Sequence, residues 1–278
     1  MLHVNYTEIL NTHTNALLFP LSHINHAFII LIYMSSKAEK IFKAKICEQT
    51  ERYEDMVAIF RDIIKETAEF NNEERNVLSA AFKNLIGGKR TAFRALSALS
   101  AKETSKEEKE GAKTGRAKLV NEFKQKIETE ISKISTEVAE LVDTKLLPAA
   151  KKDDEKLFYI KMKGDYYRYY CECLTGEALK PTAEKARVAY EEATKSAETS
   201  LPVTDAIRLG LALNYSVFHY EILNDPTKAC KIAKDAFDNA ISQLEGLPDE
   251  EYKDSASILQ LLRDNLTLWQ NEGEQPQN

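Results

Sequence analysis

From Lys37 onward, apolar residues recur three and four positions apart, and the alternating pattern of strands is absent. Such a chain can bury its apolar surface only by packing helix against helix. Five of the seven prolines (Pro148, Pro181, Pro202, Pro226, Pro248) separate helical patterns, where a missing N–H does least harm. Asp225 before Pro226 reads as an N-cap followed by Pro at the first helical position. The spacing predicts nine helices, at about 37–49, 52–66, 72–103, 116–144, 152–174, 181–197, 203–223, 227–245 and 250–271. Glu103 to Gly115, rich in Lys and Glu with two glycines, predicts an exposed loop between the two long segments. Short links between helices predict antiparallel neighbours in an all-α fold, either a bundle or a solenoid.

At 278 residues the chain can bury a sizeable core. Its composition, 43% hydrophobic and 29% charged, is that of a soluble globular protein. The net charge of −6 argues against general nucleic-acid affinity and leaves room for a local basic pocket. No run reaches the roughly 20 apolar residues of a membrane span. Four cysteines, Cys47, Cys171, Cys173 and Cys230, fit free thiols in a reducing compartment, hence a cytoplasmic location. Cys171 and Cys173 diverge by about 200° on a helix and read as packing residues, with no metal site.

Met1 to Met34 differ from the rest. They hold one charged residue, Glu8, and four of the five histidines, His3, His13, His23 and His26. Neither the basic leader of a secretory signal nor the arginines of a transit peptide are present, and the histidines lack the spacing of metal ligands. We expect residues 1–34 to be a poorly ordered extension, an artefact of the gene model, ahead of a domain over 35–271. Residues 272–278 are expected to form a short disordered tail.

Two helical stripes draw attention. Lys161, Asp165, Arg168 and Glu172 share one, beside an apolar stripe of Phe158, Met162, Tyr166, Tyr169 and Cys173. Arg168 thus sits at the edge of a buried face, where an unpaired charge is very costly. Asp165, three residues earlier, can hold its guanidinium and leave donors for an outside anion. Lys83, Gly87, Arg90 and Arg94 form the second stripe, opposite Leu78, Phe82, Leu85, Ala92, Phe93, Leu96 and Leu99. This stripe has no evident acidic partners nearby, and Gly87 costs roughly 1 kcal/mol inside a helix, which suggests a close approach there. Three arginines and two lysines converging would make a phosphate site, since Arg fits phosphate bidentately. Gly87-Gly88-Lys89 is no nucleotide loop: Lys83 and Arg90 stand where Gly and Ser/Thr belong.

Two later helices carry a mixed stripe. Gly210, Leu213, Asn214, Val217 and Glu221 lie together in one, and Ile258, Leu261, Asn265, Leu268 and Trp269 in the other. An Asn in such a stripe can be a satisfied core residue, or can offer its donor and acceptor to an extended peptide. No Ser/His/Asp arrangement appears, and His219 is the one histidine of the helical region. The pattern is that of a binding protein.

Five segments carry a family resemblance: E-R-Y-E-D-M (Glu51–Met56), N-E-E-R-N-V-L-S-A-A-F-K-N (Asn72–Asn84), F-Y-I-K-M-K-G-D-Y-Y-R-Y (Phe158–Tyr169), R-L-G-L-A-L-N-Y-S-V-F-H-Y-E-I-L (Arg208–Leu223) and L-L-R-D-N-L-T-L-W (Leu261–Trp269). In this order and spacing, over about Ser35 to Gln270, the chain resembles the 14-3-3 proteins. The Glu103–Gly115 link is several residues longer than in the family. The resemblance implies a nine-helix cup with tetratricopeptide-like helix pairs, although the tetratricopeptide sequence signature itself is missing. It further implies a dimer, homodimeric or formed with a paralogue, that needs no cofactor and binds phosphorylated client proteins rather than nucleic acid or membrane.

Carried over by position, Lys83, Arg90 and Arg168 would clamp the phosphate with the Tyr169 hydroxyl, Arg94 would support the pocket and Lys161 would line it. Asn214 and Asn265 would hold the peptide main chain. Leu213, Val217, Ile258, Leu261, Leu268 and Trp269 would form an apolar wall, with Gly210 and Glu221 beside the peptide. Ser257 departs from the family's Leu and trims that wall. At the dimer contact, Ile46, Cys47 and Thr50 would face Ala92, Leu96, Leu99, Phe123 and Ile127 of the other protomer. The expected cross-subunit ion pairs are Arg52 with Glu130 and Asp55 with Lys126. Ala92 replaces a Ser that some members phosphorylate to split the dimer. A phosphate-independent helical scaffold is the competing expectation.

Overall fold

The computed structural model describes residues 36–110 and 114–273, and among them all regular structure is helical. The nine helices are α1 (Lys37–Gln49), α2 (Tyr53–Glu66), α3 (Asn72–Glu110), α4 (Arg116–Leu141), α5 (Asp153–Cys171), α6 (Leu179–Ser200), α7 (Ala206–Val217), α8 (Pro226–Ile241) and α9 (Asp249–Gly273). A π-helical turn, Val142–Leu146, and a last turn, Leu147–Ala149, prolong α4, and a π-helical turn, Phe218–Ile222, prolongs α7. The N-terminal extension expected over 1–34, with its four histidines, and residues 274–278 lie outside the described residues.

The helix starts have identifiable causes. Ser36 and Glu39 close a capping box on α1. Asn71 and Glu74 exchange the same pair of backbone-to-side-chain bonds, 2.9 Å each, at α3. Asp205 accepts from the Ile207 and Arg208 amides, and Asp225 from the Lys228 amide with Pro226 in the first turn, as the sequence predicts.

One expectation fails. The Lys/Glu-rich stretch from Glu103 is not a loop, because α3 runs through it to Glu110. Lys and Glu are good helix formers, a Lys106–Glu103 ion pair spans one turn, and no glycine intervenes before Gly111. The extra turns also cap α4. Gly115, at φ 77°, has no side chain to offer. Glu107 supplies the acceptor instead, taking the Arg116 amide at 3.1 Å and the Ala117 amide at 3.4 Å.

Three apolar clusters stack along the molecule, and two helices belong to two clusters each. The first gathers α1 to α4 against Tyr159, Met162, Tyr166 and Tyr169 of α5. The second places Leu157, Ile160 and Cys171, on the other side of α5, against α6 and Leu211, Tyr215 and Phe218 of α7. The third packs Leu209, with Leu213 and Val217, against α8 and α9. Chain neighbours α5–α6, α3–α4 and α1–α2 form the most extensive helix pairs, followed by α4–α5, α7–α8 and α8–α9. Cys171 lies in the second cluster and Cys173 against the first, so the two thiols point apart into packing roles.

His219, in the turn after α7, is buried between Tyr215 and Phe218. Among the described residues neither ring nitrogen has a hydrogen-bond partner, and Asp225 Oδ2 stands 3.9 Å from Nδ1. Burial, aided by Lys228, pushes the imidazole down to about 4. Below about pH 6.5 the unfolded chain takes up a proton that the folded chain refuses until about pH 4. Stability is therefore lost as pH falls through that window, by up to about 3 kcal/mol from this residue. Urea unfolding of the wild type and His219→Phe across the same range should give a smaller pH slope for the variant.

Candidate functional site

The site is built on α5, which carries Lys161, Asp165, Arg168, Tyr169 and Glu172 over three turns. Asp165 is 7% exposed and each of its oxygens is used. Oδ1 accepts from the Tyr190 hydroxyl at 2.6 Å, from Asn214 Nδ2 at 2.8 Å and from Arg168 Nη2 at 3.5 Å. Oδ2 accepts from Lys161 Nζ at 2.9 Å. Arg168 Nε donates in turn to the Tyr190 oxygen at 3.0 Å. One carboxylate thereby ties α5 to α6 through Tyr190 and to α7 through Asn214. Burial opposes its charge, yet Lys161, Arg168 and the Tyr190 hydroxyl outweigh that and hold it below the usual carboxylate range. For Arg168, burial would favour the neutral form, but Tyr190 and Asp165 keep it charged.

The stripe on α3 meets this one at Tyr169. The Arg90 guanidinium lies 4.0 Å from the Tyr169 ring centroid and that of Arg168 lies 4.7 Å from it, so two cations share one ring. A pocket of about 130 Å³ opens alongside, lined by Lys83, Lys161, Asp165, Tyr169 and Asn214, with Ser79, Phe158, Met162 and Tyr166. The Tyr166 hydroxyl is buried there without a hydrogen-bond partner among the described residues. Lys83 is exposed and makes no ion pair or hydrogen bond among the described residues.

One expectation about α3 is overturned. The stripe has an acidic partner after all: Glu172 binds Arg90 through both oxygens, at 2.5 and 3.0 Å, and Arg94 at 3.0 Å. It was counted with the α5 cations because sequence spacing places a residue on its own helix and not against its neighbour. Among the described residues, a Cβ at Gly87 would meet no packed side chain or neighbouring helix within 4 Å, so the protomer's own packing does not require glycine there.

The mixed stripe of α7 reaches the same pocket through Asn214, and that of α9 packs against α7. A Cβ at Gly210 would lie 3.7 Å from Lys161 Cε and 4.0 Å from Ile258 Cδ1, which brings α5, α7 and α9 together at one point. Leu213, Val217 and Ile258 are half-buried against the third cluster. Leu261 and Leu268 are each 52% exposed, while Trp269 is buried and stacked on Tyr220 at 4.6 Å and 13°. Asn265 is half-buried on α9, and Glu221 lines a shallow depression with Arg94 and Glu172. Asn214 is occupied by Asp165, so its hydrogen-bonding edge is already set in the free protein. Tyr190 was not foreseen, since nothing in its local sequence marks it off from a core aromatic.

The residues expected at a dimer contact lie on α1 to α4. Ile46, Leu99 and Phe123 are exposed apolar side chains, as are Phe42 and Leu119, one turn before Ile46 and Phe123. Ala92, Leu96, Cys47 and Ile127 are half-buried, and Thr50 bonds back to the Ile46 carbonyl at 2.9 Å. Within the protomer, Arg52 pairs with Asp55 and Glu130 with Lys89, while Lys126 is exposed.

Removing the hub carboxylate leaves Arg168 buried and uncompensated. Asp165→Asn should therefore cost about 3–5 kcal/mol, read as the shift in a guanidinium unfolding curve.

Among the described residues, no helix is long and apolar enough to cross a membrane. The family model described as "14-3-3 protein" matches residues 43–270. Similar relatives span distant kingdoms. The Xenopus laevis 14-3-3 protein beta/alpha-A is 46% identical over 244 residues, covering 87% of this chain and 97% of the frog protein. The Oryza sativa 14-3-3-like protein GF14-E is 49% identical over 239 residues, 85% of this chain and 89% of its own length. A Trichoderma harzianum 14-3-3 protein homolog is 48% identical over 239 residues, 86% and 89% of the two chains. A match of this extent, on a fold of nine helices with Lys83 of α3 and Lys161 of α5 lining one pocket, makes the chain a member of the 14-3-3 family.

Proposed function

We propose that this protein is a non-enzymatic adaptor that recognises phosphoserine and phosphothreonine peptides in the groove bordered by α3, α5, α7 and α9. The observation that carries the reading is the charge balance around Tyr169. Five cations (Lys83, Arg90, Arg94, Lys161 and Arg168) meet two carboxylates, Asp165 and Glu172. Three positive charges are left for an outside anion. A phosphate supplies about −1.5 to −2 charges and three strong acceptors.

The parts divide the work by chemistry. Lys83 approaches the anion as a point charge, and Arg90 and Arg168, both packed on the Tyr169 ring, offer planar forks beside its hydroxyl, which donates. Asn214 and Asn265 flank the line a peptide main chain would take. Leu261 and Leu268, exposed and apolar, would gain by covering flanking client side chains, at about 25 cal/mol per Å² removed from water. Ser257, exposed on α9 with its hydroxyl turned back to the Lys253 carbonyl at 2.8 Å, adds little to that wall.

Dimerisation through Phe42, Ile46, Leu99, Leu119 and Phe123 would cover the exposed apolar face of α1, α3 and α4. Two grooves in one particle would hold a doubly phosphorylated client by effective concentration. The ion pairs of Arg52 with Glu130 and Asp55 with Lys126 would form only by exchanging the partners held within each protomer, and such exposed pairs contribute about 0–1 kcal/mol. The apolar contacts carry the association. Ile46→Asp combined with Phe123→Asp should therefore move the sedimenting species from two chains to one. A dimer that survives both changes contradicts this surface.

Lys83→Glu tests the phosphate site, because Lys83 is exposed and its change disturbs no packing. Fluorescence anisotropy with one peptide, phosphorylated and not, should show phosphate-dependent binding by the wild type. In the variant, phosphopeptide affinity should fall about a hundredfold or more, with helicity by circular dichroism unchanged. Equal binding of both peptide forms by the wild type would favour a phosphate-independent scaffold.

A further inference from the structure

We propose that Glu172 is the residue that makes this site reject client carboxylates while admitting phosphate, a specificity role that rests on the phosphopeptide reading above. Glu172 follows Arg168 by one turn at the end of α5, and its side chain is only 11% exposed. It fills the Nε–Nη2 edge of Arg90 with both oxygens and reaches Arg94 with one of them. This is the bidentate geometry that an incoming Asp or Glu side chain would adopt.

The consequence follows from comparing ligands at Arg90. A client carboxylate offers the same group and the same single charge that Glu172 already provides. To bind, it must displace Glu172, a like-for-like exchange that gains nothing and orders a free side chain. Otherwise it must share the guanidinium with Glu172 at close range, where like charges repel. A phosphate dianion differs in both respects: it carries nearly twice the charge, and its third oxygen can reach Lys83, which has no ion-pair partner among the described residues. Asp165 plays the matching part on the other side, engaging Lys161 and Arg168. It cannot be tested in the same way, because Arg168 is buried and depends on it. Glu172 is the partner of cations that are half-buried or exposed, so its charge can be removed with less risk to the fold.

The experiment uses one short fluorescein-labelled peptide with a single central position, made as phosphoserine, glutamate and serine. Affinities are measured by anisotropy for the full-length wild type, Glu172→Gln and Glu172→Asp, with circular dichroism reporting the fold of each. In the wild type, phosphoserine should bind and glutamate should bind no better than serine. In Glu172→Gln, the ratio of phosphoserine to glutamate affinity should fall by about tenfold, as the glutamate peptide gains one charge-assisted contact. Glu172→Asp keeps the charge on a shorter arm and should shift the ratio less, in the same direction. It carries the test if the Gln variant does not fold. A ratio unchanged from wild type in a folded variant overturns the proposal, as does an equal loss of affinity for both peptides, which would make Glu172 a structural support of Arg90. If the wild type binds serine and phosphoserine alike, the phosphopeptide reading itself fails, an outcome distinct from either.

Discussion

The buried carboxylate of Asp165 holds the site together. Four groups from three helices converge on its two oxygens: Lys161 and Arg168 from α5, Tyr190 from α6 and Asn214 from α7. A buried guanidinium is tolerable only when paired and hydrogen-bonded, so the 6% exposure of Arg168 is possible because Asp165 and Tyr190 are there. Gly164, next to the hub, allows that approach. A Cβ at that position would come within 3.1 Å of the Tyr190 ring. The junction of the first two apolar clusters and the orientation of the charged site thus rest on the same few atoms.

Internal carboxylates explain how such a cation cluster stays folded without its ligand. Lys83, Arg90, Arg94, Lys161 and Arg168 in a bare group would repel one another. Asp165 and Glu172 offset part of that repulsion and hold the forks of Arg168 and Arg90 beside the Tyr169 ring. Donors fixed in advance lose less freedom when a ligand arrives. On the phosphopeptide reading proposed above, the remaining imbalance is met from outside, which is the physical content of recognition by charge.

Much of this was legible in the sequence, for particular reasons. The prolines at helix joints and the Asp225–Pro226 cap mark boundaries because backbone chemistry acts locally. Periodicity also placed Lys161, Asp165 and Arg168 on one stripe and Lys83, Arg90 and Arg94 on another. What it could not supply is which stripe faces which. Glu172 was grouped with its own helix although it serves Arg90 and Arg94 across the gap, and Tyr190 had no local mark of its role. The α3 extension to Glu110 was misread because a Lys/Glu run looks alike in a solvated helix and in a loop, and only Glu107 meeting the start of α4 separates the two. Open space surrounds Gly87 among the described residues, so the packing of this protomer does not account for a glycine there.

The central claim is that a phosphate dianion supplies the charge this pocket lacks. Phosphorus NMR of a bound phosphoserine peptide, titrated through the second phosphate ionisation, tests it most directly. Free phosphoserine protonates near pH 6. Held between Lys83, Arg90 and Arg168, the phosphate should remain dianionic well below that pH, because adjacent cations favour the charged form. A bound resonance that titrates at the same pH as the free peptide would contradict the account.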